Sequence, residues 1–596
     1  MRLTNVTHLR LPFGRLLGYD VTLGRSGADV PLSFDQRRHV GRGDRPGSWM
    51  AITCRLPEVD LDELAEAWLA VIRRHGTLRT VFTPGDAFSP GDTGPRLRET
   101  EIRPGRWVEH TIAPGQAVDD AVRRVLDERC TPYSAPSHRL CVIETAERPT
   151  LVVAADHAHV DMWSLLVILR DLMQGLGEAL EPGTVLPFAE HTAALAAREP
   201  APDAVRDRWA EIIADSGDVM PRFALPLGEL DPPPPERVEV RDVLGVDGCA
   251  SFERQAREAK VSTLALVTSV MTRVTRELGR SPLRAVFPVH SRYDPMWHGS
   301  VGWFITNSVL DSPDPDPAAC AAAVREAVQL GSWPLDDVLQ RWGGMPEAPG
   351  MFAISWLDLR RLPVRIDHGR LEAQYVSAAG RADGVMLWFI LDEAGLHLRC
   401  RYPDTAEARV NVGAWLDRLV AGISELGHLA GVDLVLGRHR LQIVRAARPD
   451  VPAVVALLAA DPDGATRESA GTTTLTDPAD PALYDAAFDA LDRDPGRFLA
   501  VVRAPDQRVV ATVQLTILPG LARRGSTRLL VEGLRVAPGW RDRGLGAALL
   551  EWAHDHGRTR GAVLSQVVTG TNRVEALGFL EHIGYERTHA GFEREL

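Results

Sequence analysis

Two short segments of the chain carry residue types suited to acyl-transfer chemistry. In the first, the apolar run TLVVAA leads into Asp156 and His157, Asp161 follows four residues after the histidine, and Ser164 lies near the start of a helical pattern. A histidine at the end of a strand can take a proton from an attacking amine, and a nearby aspartate can fix the loop that carries it. The spacing alone is weak, because isolated histidines are more often structural than catalytic.

The second segment has the composition of a phosphate-binding turn. A strand-like stretch of Leu534, Arg535 and Val536 precedes a turn that opens an apolar helical pattern, and the turn consists of Arg541, Asp542, Arg543, Gly544, Leu545, Gly546 and Ala547. Glycines at such a turn allow a phosphate to approach the free backbone N–H groups at the start of the helix. Glycine turns before helices are common, so this motif alone does not identify a phosphate-binding site.

Glu532 lies on the strand before this turn and is the candidate base of the second segment. Apolar neighbours can raise the pKa of a carboxyl group toward the value that a base needs at neutral pH. The alternative is a solvent-facing strand position without a chemical role.

The strands and helices that position these segments belong to more than one domain. A chain of 596 residues is too long for one core and predicts two to four compact units. The clearest break lies near residues 430–440, where a helical pattern ends, the strand-like LQIV follows and a new helix opens after Asp450. We therefore predict domains at residues 1–432 and 438–596.

Composition and charge exclude several classes of protein. A net charge of −13 argues against wholesale binding to nucleic acid or to an anionic membrane, and no run approaches the roughly 20 apolar residues of a membrane span. The six cysteines show neither metal spacing nor a disulfide framework, which is typical of a reducing compartment. The amino-terminal segment lacks the apolar core of a secretory signal. We expect a cytoplasmic protein that binds no metal, no nucleic acid and no membrane.

Three further segments bear on the roles of His157 and Asp161. They are PLSFDQR at 31–37, RHGTLRTVF at 74–82, and PVHSR at 288–292 followed by VGWFITN at 301–307. In order and spacing, they are similar to motifs of the condensation domains of nonribosomal peptide synthetases. Those domains have the chloramphenicol-acetyltransferase-like fold. The resemblance runs from about residue 28 to residue 425, and it implies an N-subdomain at about 1–178 and a C-subdomain at about 179–432.

The resemblance also implies roles for the residues around His157. The family signature is H-H-x-x-x-D-G-x-S, and the sequence here is DHAHVDMWS, with Asp156 in place of the first histidine and Met162 in place of the glycine. His157 would orient or deprotonate an amine that attacks an acyl thioester, and Asp161 would pair with Arg292 to hold the loop. The residues implied in supporting roles are Asp156, Ser164, Arg292 and Asn307.

Asp156 has two interpretations at this point. It can favour the imidazolium form of His157 and weaken the base, or it can orient the ring as the aspartate of a catalytic triad does. His159 lies two residues further along the extended stretch, but the spacing to Asp161 favours His157.

The acyl donor of this reaction is expected from outside the sequence. The sequence has no carrier-protein attachment motif of the G-G-x-S type and no adenylation signature. The condensation-domain resemblance therefore implies a phosphopantetheine thioester on a separate acyl- or peptidyl-carrier protein as donor. A small-molecule amine is the implied acceptor.

The second segment resembles the acetyl-CoA loop of the GNAT superfamily, V-x-P-x-x-R-G-x-G-x-G-x-x-L-L. The resemblance covers Leu441 to Leu596 and includes NRVEALGFLEHIGYE near the end. It implies that acetyl-CoA binds to the turn residues named above, to Leu534–Val536 and to Asn572. It also implies direct attack of an amine on the thioester, with Glu532 as base.

One position departs from the GNAT pattern. The tyrosine that protonates the leaving thiolate in that family falls on Leu580 here. No acid is therefore assigned, and Tyr585 is not given the role merely because it is a tyrosine.

The two resemblances together predict an α/β (α+β) chain. A two-subdomain chloramphenicol-acetyltransferase-like condensation fold is followed by a GNAT fold with a mixed, mostly antiparallel sheet. The implied function is a bifunctional acyltransferase of secondary-metabolite biosynthesis that forms an amide (or ester) in the first domain and N-acetylates a small-molecule amine in the second.

Two alternatives stay open. The first domain can be an inactive module that binds substrate or carrier protein, because Asp156 and Met162 depart from the signature. In the other alternative both domains use acyl-CoA, and no carrier protein takes part.

Overall fold

The computed structural model describes residues 2–9, 11–85, 94–177, 185–429, 432–460, 481–494, 496–570, 573–589 and 594. The chain forms two compact units, one comprising Met1–Cys249 and Ala256–Ile423 and the other Ala250–Gln255 and Ser424–Leu596. Within the described ranges, no helix is both long enough and apolar enough to cross a membrane.

The described strands of the first unit form two sheets. The strands are β1 (Arg2–Asn5), β2 (Arg15–Val30), β3 (Trp49–Arg55), β4 (Thr80–Thr83), β5 (Arg96–His110), β6 (His138–Glu144), β7 (Thr150–Asp156), β8 (Glu236–Gly245), β9 (Leu283–His290), β10 (Ile305–Ser312), β11 (Phe352–Asp358), β12 (Gln374–Ser377), β13 (Val385–Asp392) and β14 (Gly395–Pro403). The larger sheet has the order β1-β12-β3-β7-β6-β2-β5-β4, and the smaller has the order β10-β9-β11-β13-β14-β8.

Helices cover these sheets. Those up to residue 429 are α1 (Phe34–Val40), α2 (Leu61–Arg74), α3 (Val118–Arg129), α4 (Met162–Gly177), α5 (Phe188–Ala196), α6 (Asp203–Asp215), α7 (Val246–Glu258), α8 (Thr263–Gly279), α9 (Pro317–Leu330), α10 (Leu335–Val338), α11 (His368–Leu371) and α12 (Ala406–Leu429).

Strand β7 lies inside the larger sheet, and both of its faces are covered. Leu151 and Val153 pack in a core with helices α2 and α4, whereas Val152 and Ala154 pack in a second core with helix α3. All seven residues of the strand are buried. A strand covered on both faces needs apolar residues at successive positions, which explains the continuous apolar run that precedes His157.

Helix α4 follows directly and is apolar on nearly every side. Every residue from Trp163 to Leu169 is buried, as expected of a helix that packs on more than one face. Asp161 caps the helix, because its carboxylate accepts the backbone N–H of Ser164 at 2.7 Å. The loop that carries His157 is therefore held between a buried strand and a buried helix.

One strand of the larger sheet comes from far along the chain. Strand β12 lies between β1 and β3, parallel to the first and antiparallel to the second. The sheet that holds most strands of the first 178 residues therefore also includes residues 374–377, a crossover that no local pattern indicates.

The second unit has one six-stranded sheet among its described residues. Its strands are β15 (Val432–Leu436), β16 (His439–Arg445), β17 (Arg497–Arg503), β18 (Val509–Leu518), β19 (Thr527–Val536) and β20 (Ala562–Val567), and its helices are α13 (Val451–Leu458), α14 (Pro481–Arg493), α15 (Ala522–Gly525), α16 (Leu545–Thr559) and α17 (Val574–His582). Neighbours from β15 to β19 are antiparallel, and β19 is parallel to β20. This confirms the predicted mixed, mostly antiparallel sheet. The sheet begins at Val432, before the predicted domain start at residue 438.

Candidate active sites

His157 lies in the loop between β7 and α4, with its ring held at one nitrogen. Nδ1 is 2.9 Å from the carbonyl oxygen of Val160. A carbonyl oxygen can only accept a hydrogen bond, so Nδ1 carries the proton and Nε2 keeps its lone pair. The backbone N–H of His157 donates to the Ser48 carbonyl at 3.0 Å, and the Trp303 ring stacks on the imidazole with centroids 4.2 Å apart.

The surroundings of His157 favour the neutral imidazole. Burial lowers the pKa of His157, and the adjacent His39 acts in the same direction. The side chain is nevertheless partly exposed. A neutral, partly accessible imidazole with a free Nε2 can act as a base at neutral pH.

Asp161 and Arg292 form a buried ion pair. Arg292 Nη1 donates to the Asp161 carboxylate at 2.6 Å, and both side chains are almost fully buried. The same carboxylate accepts the backbone N–H of Phe304 at 3.0 Å. Burial alone would raise the pKa of Asp161, but the charge and hydrogen bond of Arg292 hold that pKa below its ordinary value. Asp161 is therefore an ionised anchor of the loop, and its carboxylate is engaged by Ser164, Arg292 and Phe304.

Ser164 connects helix α4 to the same anchor. Arg292 Nη2 donates to Ser164 Oγ at 2.8 Å, and the Ser164 hydroxyl donates to the Gly302 carbonyl at 2.8 Å. The backbone N–H of Gly302 in turn donates to Ser164 Oγ at 3.0 Å. The guanidinium carbon of Arg292 also lies 3.9 Å from the centre of the Phe304 ring. These contacts fix the start of α4 against the segment that leads into β10.

Asp156 contacts other partners than the His157 ring. Its carboxylate lies 3.2 Å from His39 Nε2, accepts the backbone N–H of Ala158 at 2.9 Å and accepts the Ser48 hydroxyl. Burial would raise the pKa of Asp156, but these hydrogen bonds and the His39 ring lower it. The carboxylate therefore does not orient the His157 ring as a triad aspartate would. Its charge raises the pKa of His157, as the other interpretation expects, but burial and His39 outweigh it, and the pKa of His157 is lowered.

Two further motif residues also support the loop. Asn307 Nδ2 donates to the buried Asp35 carboxylate at 2.8 Å. Gln36 Nε2 donates to the carbonyl oxygen of Ala158 at 2.8 Å. The motif at 31–37 thus connects helix α1 both to β10 and to the residue that follows His157.

His159 is fully engaged in the fold. Its Nδ1 lies 3.0 Å from the Ser137 hydroxyl, and its Nε2 lies 3.3 Å from the Thr80 carbonyl oxygen. The ring is buried, and burial lowers the pKa of His159. His159 is a structural residue.

Sequence motifs do not indicate the contacts of His39, Ser48 or Trp303 at this loop. Trp303 lies in the VGWFITN motif, so its position next to the loop could have been inferred, but its stacking on His157 could not. His39 follows the motif at 31–37 by two residues, and its partner Asp156 is 117 positions away. No local signal joins them.

In the second unit, strands β19 and β20 form the framework of the candidate acetyl-transfer site. Their parallel pairing ends at Val531 and Val567. Beyond that point the pairing of β18 with β19 shifts register, and Gly533 has φ +60°. A positive φ at a bulge is readily adopted by glycine. The next three residues, Leu534–Val536, are partly exposed.

Glu532 lies immediately before this bulge and is partly exposed. Gln514 Nε2 lies 3.4 Å from the Glu532 carboxylate. Burial alternates along β19, where Leu529 and Val531 are buried and Leu530 and Glu532 are not. Glu532 therefore points to the face of the sheet opposite Leu529 and Val531 and is partly exposed there.

The glycine turn leaves several N–H groups without an internal partner. Gly544 precedes α16 with φ +80°, and no side chain caps the helix. The first backbone bond of the helix runs from Ala548 to the Gly544 carbonyl, so the N–H groups of Leu545, Gly546 and Ala547 have no partner within the helix. Uncapped N–H groups at the positive end of a helix fit a phosphate group.

The arginines around the turn differ in the groups that they contact. Arg541 Nε donates to the Val536 carbonyl at 3.1 Å, and the Arg543 guanidinium lies 5.6 Å from the centre of the Trp540 ring. Arg535 Nη1 donates to the Leu534 carbonyl at 2.9 Å. Arg541, Asp542 and Arg543 are exposed, and Asp542 has φ +58°. Asn572 lies outside the described residues.

The position expected for a tyrosine acid holds a buried leucine, Leu580. The hydroxyl of Tyr585 lies 2.7 Å from His554 Nε2 and 2.6 Å from the Ser565 hydroxyl. These bonds connect Tyr585 to helix α16 and strand β20, and burial raises its pKa. These contacts are typical of a structural residue.

Two family models match the chain. The condensation domain model matches residues 44–326, and the acetyltransferase (GNAT) family model matches residues 466–585. The first range contains His157 and the Asp161–Arg292 pair. The second contains Glu532 and the glycine turn at Gly544.

The curated relatives that the chain matches include synthetases. Nonribosomal peptide synthetase 4 of Gibberella zeae is 28% identical over 148 residues, which are 24% of this chain and 2% of the relative. The coprinoferrin synthetase of Coprinopsis cinerea is 25% identical over 250 residues, which are 38% of this chain and 10% of the relative. The chain thus spans a tenth or less of the length of these relatives.

Solved structures share the fold of the first region. A PapA2 acyl transferase has a TM-score of 0.63 at 19% identity, covering 72% of this chain and 100% of that chain. The condensation domain of the monacolin K polyketide synthase MokA has a TM-score of 0.52 at 16% identity, covering 68% of this chain and 98% of that chain. These likenesses confirm the predicted condensation fold. The chain therefore joins a condensation domain to a GNAT-family acetyltransferase domain.

Proposed function

We propose that this chain catalyses two acyl transfers of secondary-metabolite biosynthesis, one in residues 1–432 and one in residues 438–596. In the first, a small-molecule amine attacks an acyl thioester to form an amide, or a hydroxyl attacks to form an ester. In the second, an amine is acetylated with acetyl-CoA as donor. The presence of two acyltransferase-type domains in one chain supports consecutive steps on the same or a related molecule.

The observation that carries the first reaction is the hydrogen bond from His157 Nδ1 to Val160. It leaves Nε2 free to take the proton of the amine as the nitrogen attacks the thioester carbon. The new C–N bond forms, the C–S bond breaks, and the proton on Nε2 passes to the leaving thiolate. Asp161 and Arg292 act only by holding the loop.

The proposed donor is a phosphopantetheine thioester on a separate acyl- or peptidyl-carrier protein. The condensation-domain match and the synthetase relatives support this class of partner. All six cysteines of the chain lie in described residues and are buried free thiols, which supports a reducing cytoplasm as the location.

In the second unit, the uncapped start of α16 and the turn at Gly544 would hold the diphosphate of acetyl-CoA. Bound acetyl-CoA supplies a reactive acetyl thioester. The backbone of Leu534–Val536 would orient its carbonyl, because the register shift at Gly533 leaves Leu534 without a paired residue on β18 before pairing resumes at Arg535. Glu532 would take the proton of the attacking amine.

One feature favours a different role for the first unit. Met162 is partly exposed and packs against the core of the larger sheet where the signature has glycine, so a large side chain replaces the hydrogen of glycine five residues after His157. In this alternative the first unit binds a carrier protein or substrate without catalysis, and only the second unit transfers an acyl group.

Thiol release from two donors separates these possibilities. The full-length protein is given amines with either an acyl-carrier thioester or the matching acyl-CoA, and free thiol and product mass are recorded. We expect carrier-bound thioester to be consumed only in the presence of His157, and acetyl-CoA to be consumed independently of it. If the first unit consumes acyl-CoA but not the carrier-bound thioester, the carrier-protein assignment is contradicted. If neither donor is consumed in a way that depends on His157, the first unit is a binding module.

A further inference from the structure

The indole of Trp303 covers one face of the His157 imidazole. The two rings are nearly parallel, with an angle of 21° between their planes and 4.2 Å between their centroids. Trp303 itself is buried. The hydrogen bond from His157 Nδ1 to Val160 lies at the edge of the same imidazole. The ring of His157 is therefore held at one face by the indole and at one edge by a carbonyl oxygen.

The backbone around Trp303 is bonded to the loop that carries His157. The Ser164 hydroxyl donates to the carbonyl of Gly302, and the backbone N–H of Phe304 donates to the Asp161 carboxylate at 3.0 Å. Trp303 lies between these two bonded residues. Its position relative to the His157 loop is thus determined by the same contacts that hold the start of helix α4.

A base that takes a proton from an amine becomes a cation, and the surroundings of His157 bear on that charge. Burial lowers the pKa of His157, and His39 of helix α1 acts in the same direction. The carbonyl oxygen of Val160 and the Asp156 carboxylate at the end of β7 act in the opposite direction. The face of an indole has negative electrostatic potential, so the stacked Trp303 ring also favours a cation over a neutral ring.

We propose that Trp303 is a positioning residue that stabilises the imidazolium form of His157 while His157 accepts the proton of the amine. The stacked indole compensates part of the cost of placing a charge in a buried site. It also keeps the imidazole from tilting, so that Nε2 stays available. This inference rests on the proposed role of His157 as base.

Fluorinated tryptophan at position 303 tests the inference with little change in packing. Fluorine withdraws electron density from the face of the indole, whereas the shape of the ring is nearly retained. Full-length proteins with tryptophan, monofluorinated tryptophan or trifluorinated tryptophan at this one position are prepared with ¹³Cε1-labelled histidine. The NMR signal of His157 is assigned by its loss in His157→Gln and is followed as the pH is varied.

We expect the titration midpoint of His157 to fall stepwise with added fluorine, by about 0.5–1 pH unit in all, because the cation–π attraction acts only on the charged ring. With a carrier-bound acyl thioester and a free amine, kcat for amide formation should fall by about 3- to 10-fold, the same change in the stability of the imidazolium. KM should stay the same, since the stack lies against His157 and not against substrate.

The same fluorinated residues at position 356 are the matched control. The ring of Trp356 lies 5.7 Å from that of Phe389, so its ring partner is not a histidine. Fluorination there should leave the His157 midpoint and kcat unchanged. A His157 midpoint that is unaltered or raised by fluorine at position 303, or an equal fall with fluorine at position 356, overturns the proposal.

The failure of the proposed function gives a different result. If fluorine at position 303 lowers the midpoint but His157→Gln forms amide at the wild-type rate, the indole stabilises the imidazolium and His157 is not the base. If His157→Gln abolishes amide formation but fluorine changes neither the midpoint nor kcat, the proposed function stands and the inference about Trp303 does not.

Discussion

The loop that carries His157 and the turn at Gly544 differ in how many of their polar groups already have partners. In the first unit, Asp161 accepts three hydrogen bonds, and its partner Arg292 also bonds Ser164 and the Ser300 carbonyl. In the second unit, no side chain caps α16, and the arginines beside the turn are exposed.

The difference indicates that the two proposed acyl-transfer sites are built in different ways. The condensation loop is organised by the protein itself, through buried charges that would be costly to disturb. The acetyltransferase turn has open donors that an anion would satisfy on binding. Substitutions at the first site should therefore act on folding as well as chemistry, whereas substitutions at the second should act mainly on ligand binding.

The largest effect on stability is expected from Arg292→Met. It leaves the buried Asp161 carboxylate without its ion-pair partner, which costs about 3–5 kcal/mol. A chain of two compact units need not unfold in one transition. The loss of stability is therefore measured locally, as the hydrogen exchange of peptides from β7 and α4 at increasing urea concentration.

Arg98→Met is the matched control. It breaks the Asp29–Arg98 pair on exposed side chains of the same unit, and such a pair contributes little to stability because solvent screens the two charges. Addition of Asp161→Asn to Arg292→Met should recover part of the loss. Equal destabilisation by Arg292→Met and Arg98→Met would mean that the loop is not organised by the buried pair.

A smaller effect is expected on the stability of the first unit at acidic pH. Burial lowers the pKa of His191 to about 4, whereas an unfolded histidine has a pKa of about 6.5. Between these values the unfolded state binds a proton that the folded state does not, so stability is lost as the pH falls from about 6.5 to about 4.

His191→Gln should remove this contribution, because glutamine can still donate to the Ser291 carbonyl that His191 Nε2 contacts but binds no proton. The slope of stability against pH in this window should decrease by up to about 1.4 kcal/mol per pH unit. Urea unfolding of the first unit at intervals of pH measures it. An unchanged slope would show that His191 is not held neutral by burial.

The smallest effect is expected at the glycine turn. Gly544→Ala places a side chain at φ +80°, which costs about 1–2 kcal/mol of strain, and relaxation of the turn should weaken acetyl-CoA binding about 5- to 10-fold. Gly561→Ala is the matched control, because Gly561 has φ +77° just beyond the other end of α16, and an added Cβ meets nothing within 4 Å. Calorimetric titration with acetyl-CoA should separate the two variants. Equal loss of binding in both would remove the turn from the proposed site.

Sequence motifs locate much of the first site. The resemblance places His157 at a strand end and pairs Asp161 with Arg292. In the structure Arg292 Nη1 lies 2.6 Å from the Asp161 carboxylate. The same motifs do not indicate His39, because its contact with Asp156 depends on the packing of α1 against the end of β7. Local patterns likewise do not indicate strand β12, since its neighbours β1 and β3 lie more than 300 positions earlier.

The second unit shows a similar limit. The mixed sheet is implied by the GNAT resemblance, and the helix after Gly544 follows from the glycine turn and the apolar helical pattern in the sequence. The environment of Tyr585 does not, because it depends on the contact of its hydroxyl with His554 and Ser565, which are 31 and 20 positions away.

The most direct test of two independent acyl-transfer sites is a pair of variants in one assay. Full-length wild type, His157→Gln and Glu532→Gln each receive a carrier-bound acyl thioester, a free amine and acetyl-CoA, and both products are quantified by intact mass. The account predicts that His157→Gln loses amide formation by about 100-fold or more while acetylation continues, and that Glu532→Gln shows the reverse. Loss of both products in either variant, or amide formation at the wild-type rate in His157→Gln, would contradict it.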